Sequence, residues 1–298
     1  MTENLELAAR LQRAMEPYQS MVYMVPEGPV EYEAIGLDAG RMGYFASRSA
    51  PMGAVSAATV AAAFYSFSPA LIASVIPRAW TLATVGQIIA ARWRVADTAL
   101  RRMLGDRIGT PEIAQAADLV RRASDGLSVS GRPLFAGHTE LDWPDEPHLR
   151  LWLGTSLMRE FRGDGHIAAL TAAELSGVEA HITFIATGRS FTPATGQASR
   201  GWTDEQWAAG IDNLRRRGLL ASGPELALTP AGAQLRADVE AETNRLAMPA
   251  WRQLGADGTE TLRRIVTGLS WIIVDSGAID QRNFMLPRTP EDTADRAR

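Results

Sequence analysis

The sequence predicts a mainly α-helical chain whose C-terminal half holds one small β-hairpin between helices. Three observations lead there. Helix-start signals recur along all 298 residues: Ser or Thr followed three places on by Gln or Glu at 84/87, 176/179 and 203/206, and Ser-Pro or Thr-Pro steps at 68, 110 and 229. An N-cap oxygen takes a free N–H of the first turn, and proline at the first helical position gives up no hydrogen bond. Between these signals apolar residues recur every three or four positions, the helical period. That period changes once, near residues 219–228.

Taken in order, the first amphipathic stretch covers residues 3–15 and ends before a Pro- and Gly-rich loop, MVPEGPVEY. A helix is expected over 34–47, then the break SAPMG, then a helix capped by Ser56 that reaches Phe67. After the Thr84/Gln87 start, Ile89, Trp93, Ala96, Leu100 and Leu104 share one face, and Gly105 ends the helix. Thr110-Pro111 opens the next, with Ile113, Ala117 and Val120 inward. Residues 124–147 carry SDGLSVSGRP and DWPDEP and read as a loop between two halves, or a loop threading a site through His138 and Trp143. Beyond it come helices over 148–162, from an Asp164 cap to Leu175, from Ser176 to Thr187, and from Thr203 to Gly218. Leu219-Leu220, the turn Ser222-Gly223-Pro224 and Leu226 to Leu228 form the hairpin, and Thr229-Pro230 opens a long helix to Leu246. The expected units are a helical N-terminal half over 1–135, a module over 148–247, a helix over 258–286 that packs back on the core, and a disordered tail over 287–298.

Composition narrows the chemistry. Hydrophobic residues make up 46%, enough for a sizeable core, and no run of about 18 apolar residues signals a membrane span. The acidic, amphipathic start lacks the basic and apolar regions of a signal peptide, so a cytoplasmic location is the default. With no cysteine, disulfides, thiolate metal sites and cysteine nucleophiles are excluded. All 30 basic residues are arginine, which removes lysine as a Schiff-base former or general base. The net charge of −4 gives no global attraction to nucleic acid or to anionic lipid. No phosphate-binding loop, nucleophile elbow, dinucleotide fingerprint or metal spacing of the four histidines is present, and no cofactor is assigned.

Three helices, a two-stranded wing and a long helix make the winged helix-turn-helix order. The segment NLRRRGLL, followed by LALTPAG, resembles the MarR-type regulators over roughly 148–247. The whole chain also resembles a group of actinobacterial helix-turn-helix proteins, a likeness that carries no activity with it. A degenerate internal duplication fits two stretches, LDAGRMGYFASRSAPMGAVSAATVAAAFY and LGTSLMREFRGDGHIAALTAAELSGVEAH, with Arg48 set against Arg162. One chain would then mimic the homodimer that MarR proteins form.

A winged helix reads DNA with the N-terminal residues of its recognition helix. Here these are Thr203, Asp204, Glu205 and Gln206, and the short wing ASGPEL carries Glu225 and no arginine. Two carboxylates facing phosphates and base acceptors disfavour DNA, although first-turn acids suit the helix dipole. The richest polar cluster is Arg159, Arg162, Gly163, Asp164, Gly165 and His166. In a functional reading Arg162 contacts an anionic group, His166 shuttles a proton near neutral pH and Asp164 orients it. In a structural reading Asp164 only caps, the glycines turn, and His166 lies at the surface. Arg48, Tyr44 and Tyr65 join as ligand contacts through the duplication, and Arg200, in Arg200-Gly201-Trp202 ahead of the capped helix, is placed to close a pocket with Arg48. His181 shares an apolar stripe and reads as packed. Two functions follow. One is a winged-helix-derived protein that holds a small anionic or aromatic molecule between its halves, with catalysis by His166 and Asp164 open. The other is a ligand-responsive regulator that binds DNA. Monomer and homodimer are both compatible, and no membrane partner is expected.

Overall fold

The computed structural model describes residues 2–38, 40–188 and 192–278. The expected tail over 287–298, and the end of the expected helix over 258–286, lie outside them. Helices α1 (Thr2–Ser20), α2 (Glu27–Glu33), α3 (Arg41–Ser49), α4 (Ala57–Phe64), α5 (Pro69–Ala73), α6 (Ile76–Leu82), α7 (Val85–Leu104), α8 (Pro111–Ser124) and α9 (Pro133–Thr139) come first. They are followed by α10 (Pro147–Ala172), α11 (Gly177–Ile185), α12 (Pro193–Arg200), α13 (Asp204–Arg216) and α14 (Pro230–Asp275).

The expected capping boxes at Thr84/Gln87, Ser176/Glu179 and Thr203/Gln206 are all formed, and Ser56 and Thr229 cap α4 and α14 through their side chains. The interval from Thr84 to the Thr110-Pro111 start equals that from Thr203 to the Thr229-Pro230 start.

Central to the fold is α10. Its Leu149, Leu151, Trp152, Leu153, Leu157 and Phe161 are buried on every side, the mark of a helix enclosed by others. Tyr18 donates to His148 O at 3.1 Å, and Trp152 Nε1 donates to Gln19 O at 3.1 Å, tying α10 to α1. The end of α14 lies along α1, where Ser270 Oγ donates to Ala14 O at 2.6 Å. The long α14 bends at Gly255, whose φ of 69° and ψ of 178° are not helical.

Apolar burial divides into two cores. The larger gathers Leu11, Phe45, Leu100, Trp152, Phe161, Trp251 and Val266; the smaller holds Ala169, Leu175, Ile182, Leu214, Leu220 and Val239. The seam therefore falls within α10, between Phe161 and Ala169, and within α14, between Val239 and Met248. Leu134 and Phe135, from the stretch over 124–147, belong to the larger core.

Several expectations are corrected. No strand forms among the described residues: the β-hairpin wing is reduced to one antiparallel bridge, Leu220 to Leu228. Ala221 N–H donates to Ala227 O and Thr229 N–H to Leu219 O, but Pro224 has no N–H to extend the ladder and Thr229 already starts α14. The helix expected over 34–47 is broken, because Gly36 (φ 86°) and Gly40 (φ 80°) turn the chain between α2 and α3. The 124–147 loop contains α9, with Leu134, Phe135 and His138 buried. No break occurs at Asp164. Helix α10 runs through Gly163, Asp164 and Gly165, and Gly165 serves a close approach: a Cβ there would lie 3.2 Å from Leu246 Cβ and 3.0 Å from Arg132 Nη1. Among the described residues no single helix is long and apolar enough to cross a membrane.

Candidate functional site

A cavity of about 390 Å³ opens at the seam between the two cores. Periodicity puts its lining in place. On α10, Arg159, Arg162, Gly163, His166, Ile167 and Leu170 follow the three- and four-residue spacing of one helical face. Tyr44 and Arg48 do the same on α3, and Arg236 and Glu240 on α14. Phe64, Tyr65, Ser66 and Phe67 arrive from the end of α4, His181 and Phe184 from α11, and Arg200 from the last turn of α12.

The junction behind the cavity is tightly stitched. Tyr65 has a φ of 40°, a left-handed backbone that a large side chain rarely adopts, and it turns the chain under α11. Its hydroxyl donates to Leu175 O, and its own carbonyl packs against Gly177, where a Cβ would lie 2.1 Å from that oxygen. Trp202 Nε1 donates to Ser66 O at 3.0 Å, and Ser68 N–H donates to Arg200 O at 2.8 Å. These bonds fix where Arg200 leaves the backbone.

The floor is an ionic cluster. Arg48 donates to both oxygens of Glu160, at 2.9 and 2.6 Å, and Arg159 donates to Glu160 at 3.2 Å and to Glu16 at 3.1 Å. The Glu160 side chain is 0% exposed. Burial alone would raise its carboxyl; the charge and hydrogen bonds of Arg48, then the charge of Arg159, overcome that and hold it well below the usual carboxylate range. Arg48 also donates to Tyr44 Oη at 3.2 Å and stacks 4.5 Å from the Phe64 ring centre.

The wall differs. Arg162 pairs with Glu240 and donates to Asn244 Oδ1. Among the described residues Arg200 has no hydrogen bond or ion pair through its guanidinium, which lies 4.3 Å over the Phe67 ring. Arg236 lies 5.9 Å from the Phe184 ring centre and likewise has no direct carboxylate contact. Burial draws both guanidinium groups below their ordinary pKa, yet arginine stays charged. Nearby Nδ1 of His166 lies 2.8 Å from Thr243 Oγ1. Burial first, then Arg162 and Arg236, push its pKa down to about 4, so the ring is neutral at pH 7. His181 bonds Gly196 O through Nε2, and burial with Arg200 lowers it too to about 4.

Of the residues singled out in the sequence, Arg48, Arg162, His166, Arg200, Tyr44 and Tyr65 all line this cavity. Asp164 does not. It is buried on another face of α10, where Oδ2 accepts from Phe135 N–H at 2.9 Å and so caps α9, and burial raises its carboxyl to about 7. The partner of His166 is Thr243, not Asp164. Nor is Arg162 left seeking an anion, since Glu240 holds it. At a pKa of about 4, His166 is no proton shuttle near neutrality in the free protein. Sequence reasoning missed Glu160, Arg236, Phe64 and Phe67. The signal for Arg236 was its four-residue spacing to Glu240 and on to Asn244 on a helix otherwise read for apolar contacts.

Together, two guanidinium groups without carboxylate partners, aromatic faces and a neutral imidazole can hold a planar anion. Among the described residues no three His, Asp or Glu side chains gather as a metal site. Helix α13 exposes Asp204 and Glu205 at its Thr203 end and Asp212 and Arg216 toward its other end, while Trp207 and Leu214 are buried. Arg215 tethers Gly223 O, and Arg217 donates to Glu174 O and Ala173 O, so these arginines cap backbone rather than project. No curated protein and no solved structure matches the chain. Both the capped α11–α13 helices and the N-terminal half that closes the cavity over them fall within one family profile, which spans residues 8–280, and the chain therefore belongs to a helix-turn-helix family.

Proposed function

We propose that the protein is a small-molecule-binding member of its helix-turn-helix family, taking an anionic ligand with a planar, unsaturated body in the cavity between the halves. One observation carries this reading. Arg200 and Arg236 line this half-open cavity with no carboxylate in hydrogen-bond contact, Glu240 acting on Arg236 only through its charge, whereas Arg48, Arg159 and Arg162 beside them are paired directly. Partly buried, uncompensated cations are costly unless an anion answers them. Phe64, Phe67 and Tyr44 supply ring faces for the rest of the ligand. On this reading the two halves descend from a duplicated MarR-like unit, and the ligand sits where two subunits of such a protein would meet. Native mass spectrometry of the protein recovered from its own host tests it. An added mass that disappears in Arg200→Gln and Arg236→Gln supports the proposal; a bare chain that gains no mass from any offered aromatic anion defeats it.

A ligand-responsive DNA-binding regulator is the second reading, favoured by family membership and by the outward-facing, capped start of α13. Its exposed face offers Asp204, Glu205 and Asp212 against Arg216, the wrong sign for phosphates. Low-salt gel shifts with DNA from its own upstream region separate the two. Sequence-specific retardation lost in Gln206→Ala would establish the regulator.

A further inference from the structure

The hydroxyl that holds His166 has already committed its proton. Thr243 Oγ1 donates to Val239 O at 2.7 Å, so toward His166 Nδ1, 2.8 Å away, it can only accept. The proton of the neutral ring is therefore on Nδ1, and Nε2 carries a free lone pair. Thr243 lies outside the cavity lining and His166 within it, which turns the Nε2 edge toward the cavity. Nε2 has no partner among the described residues, and it is not sealed in the interior. The groups around it do not supply one. Arg162 is a donor committed to Glu240 and Asn244, and Arg200 and Arg236 stand apart as open donors. Beside the Arg162–Glu240 pair, the cavity thus combines two cationic donors with a neutral acceptor that no protein group engages.

We infer that the ligand is an anion that also carries a hydroxyl or N–H donor, its acidic group set on Arg200 and Arg236 and its donor on His166 Nε2. This rests on the anion-binding reading above and adds the second half of the recognition. A ligand with acceptors alone that displaces water from Nε2 would leave it unsatisfied, at a cost comparable to a lost hydrogen bond. Thr243 acts as a positioning residue, since its hydroxyl sets the tautomer without itself lining the cavity.

Two measurements on the full chain test this. Long-range proton–nitrogen correlation spectra of protein labelled at histidine nitrogen, assigned with His166→Phe, report the tautomer in the free protein. Protonated Nδ1 with bare Nε2 is expected, and an Nε2–H tautomer overturns the inference whatever the cavity binds. Calorimetric titration with benzoate and the three monohydroxybenzoates then reads the preference. At least one hydroxylated probe is expected to bind about threefold to tenfold tighter than benzoate, the worth of one hydrogen bond. The gain, read as the ratio of hydroxylated-probe to benzoate affinity within each protein, should vanish in His166→Phe and shrink in Thr243→Val, which frees the ring to turn over its proton. Equal binding of all four probes overturns the inference and leaves the anion reading standing. Binding of none removes the anion reading, and this inference with it.

Discussion

Replacing Glu160 by Gln removes the one carboxylate that Arg48 and Arg159 share. The Glu160 side chain is 0% exposed and that of Arg48 11% exposed, so the charge left behind is shielded little by water. Breaking a buried pair by removing one partner typically costs about 3–5 kcal/mol. Part of that is offset here. Arg159 keeps Glu16 at 3.1 Å, and Arg48 keeps Tyr44 Oη at 3.2 Å and the Phe64 ring. A loss near the lower end, about 3 kcal/mol, is expected from urea unfolding followed by circular dichroism. The freed Arg48 lines the cavity, so a bound anion can take the carboxylate's place. Phosphate or benzoate should therefore stabilise Glu160→Gln more than the wild type; at a hundred times the variant's own Kd the variant gains about 2.7 kcal/mol in all, and the wild type less. A loss below about 1 kcal/mol, or equal stabilisation of both proteins by anions, would refute the view that Glu160 is the internal counter-ion of the cavity floor.

Asp164→Asn tests the reassignment of Asp164. Its folded carboxyl is raised from 3.8 to about 7 by burial, so the folded state holds a proton that the unfolded chain releases, and stability falls as pH rises across that window. The Asn variant lacks this loss. Its advantage over the wild type should grow from pH 4 to pH 7 by about 1–4 kcal/mol, and a pH-independent difference in urea midpoints would show that Asp164 is not held protonated. Gly177→Ala should destabilise by about 1–3 kcal/mol and weaken ligand binding together, because a Cβ 2.1 Å from Tyr65 O forces the junction apart. Unchanged melting and unchanged affinity would mean that the Tyr65 turn does not set the cavity wall.

Helix starts were legible because an N-cap is a local event. Thr84, Ser176 and Thr203 need only their own next three residues to close a capping box. The continuity of α10 was hidden for the opposite reason. Gly163-Asp164-Gly165 has the local chemistry of a break, but the glycine at 165 answers Leu246 and Arg132, far away in sequence. The wing was misread because Leu219-Leu220 and Leu226–Leu228 alternate with turn residues as strands do, while Pro224 and the start of α14 leave room for a single bridge. At the site, Arg48, Arg162, His166 and Arg200 could be picked out as polar residues beside helix ends or by analogy between the halves. Their partners could not. Glu160 looks like one more surface acid until the first turns of α10 are recognised as buried on all sides, where its charge has to be answered by Arg48 and Arg159. Arg236 looked like an ordinary helix-surface charge, since nothing local says that the N-terminal half closes over it.

Calorimetric titration of the full chain with benzoate and with benzamide, its uncharged counterpart of nearly the same shape, tests the central claim most directly. One benzoate per chain is expected, with benzamide too weak to measure, and with affinity at least about tenfold lower in Arg200→Gln and in Arg236→Gln, the effect of losing one charge-assisted hydrogen bond. Equal affinity for the two probes, or benzoate binding untouched by both substitutions, would contradict the assignment of the cavity as an anion site built on these two arginines.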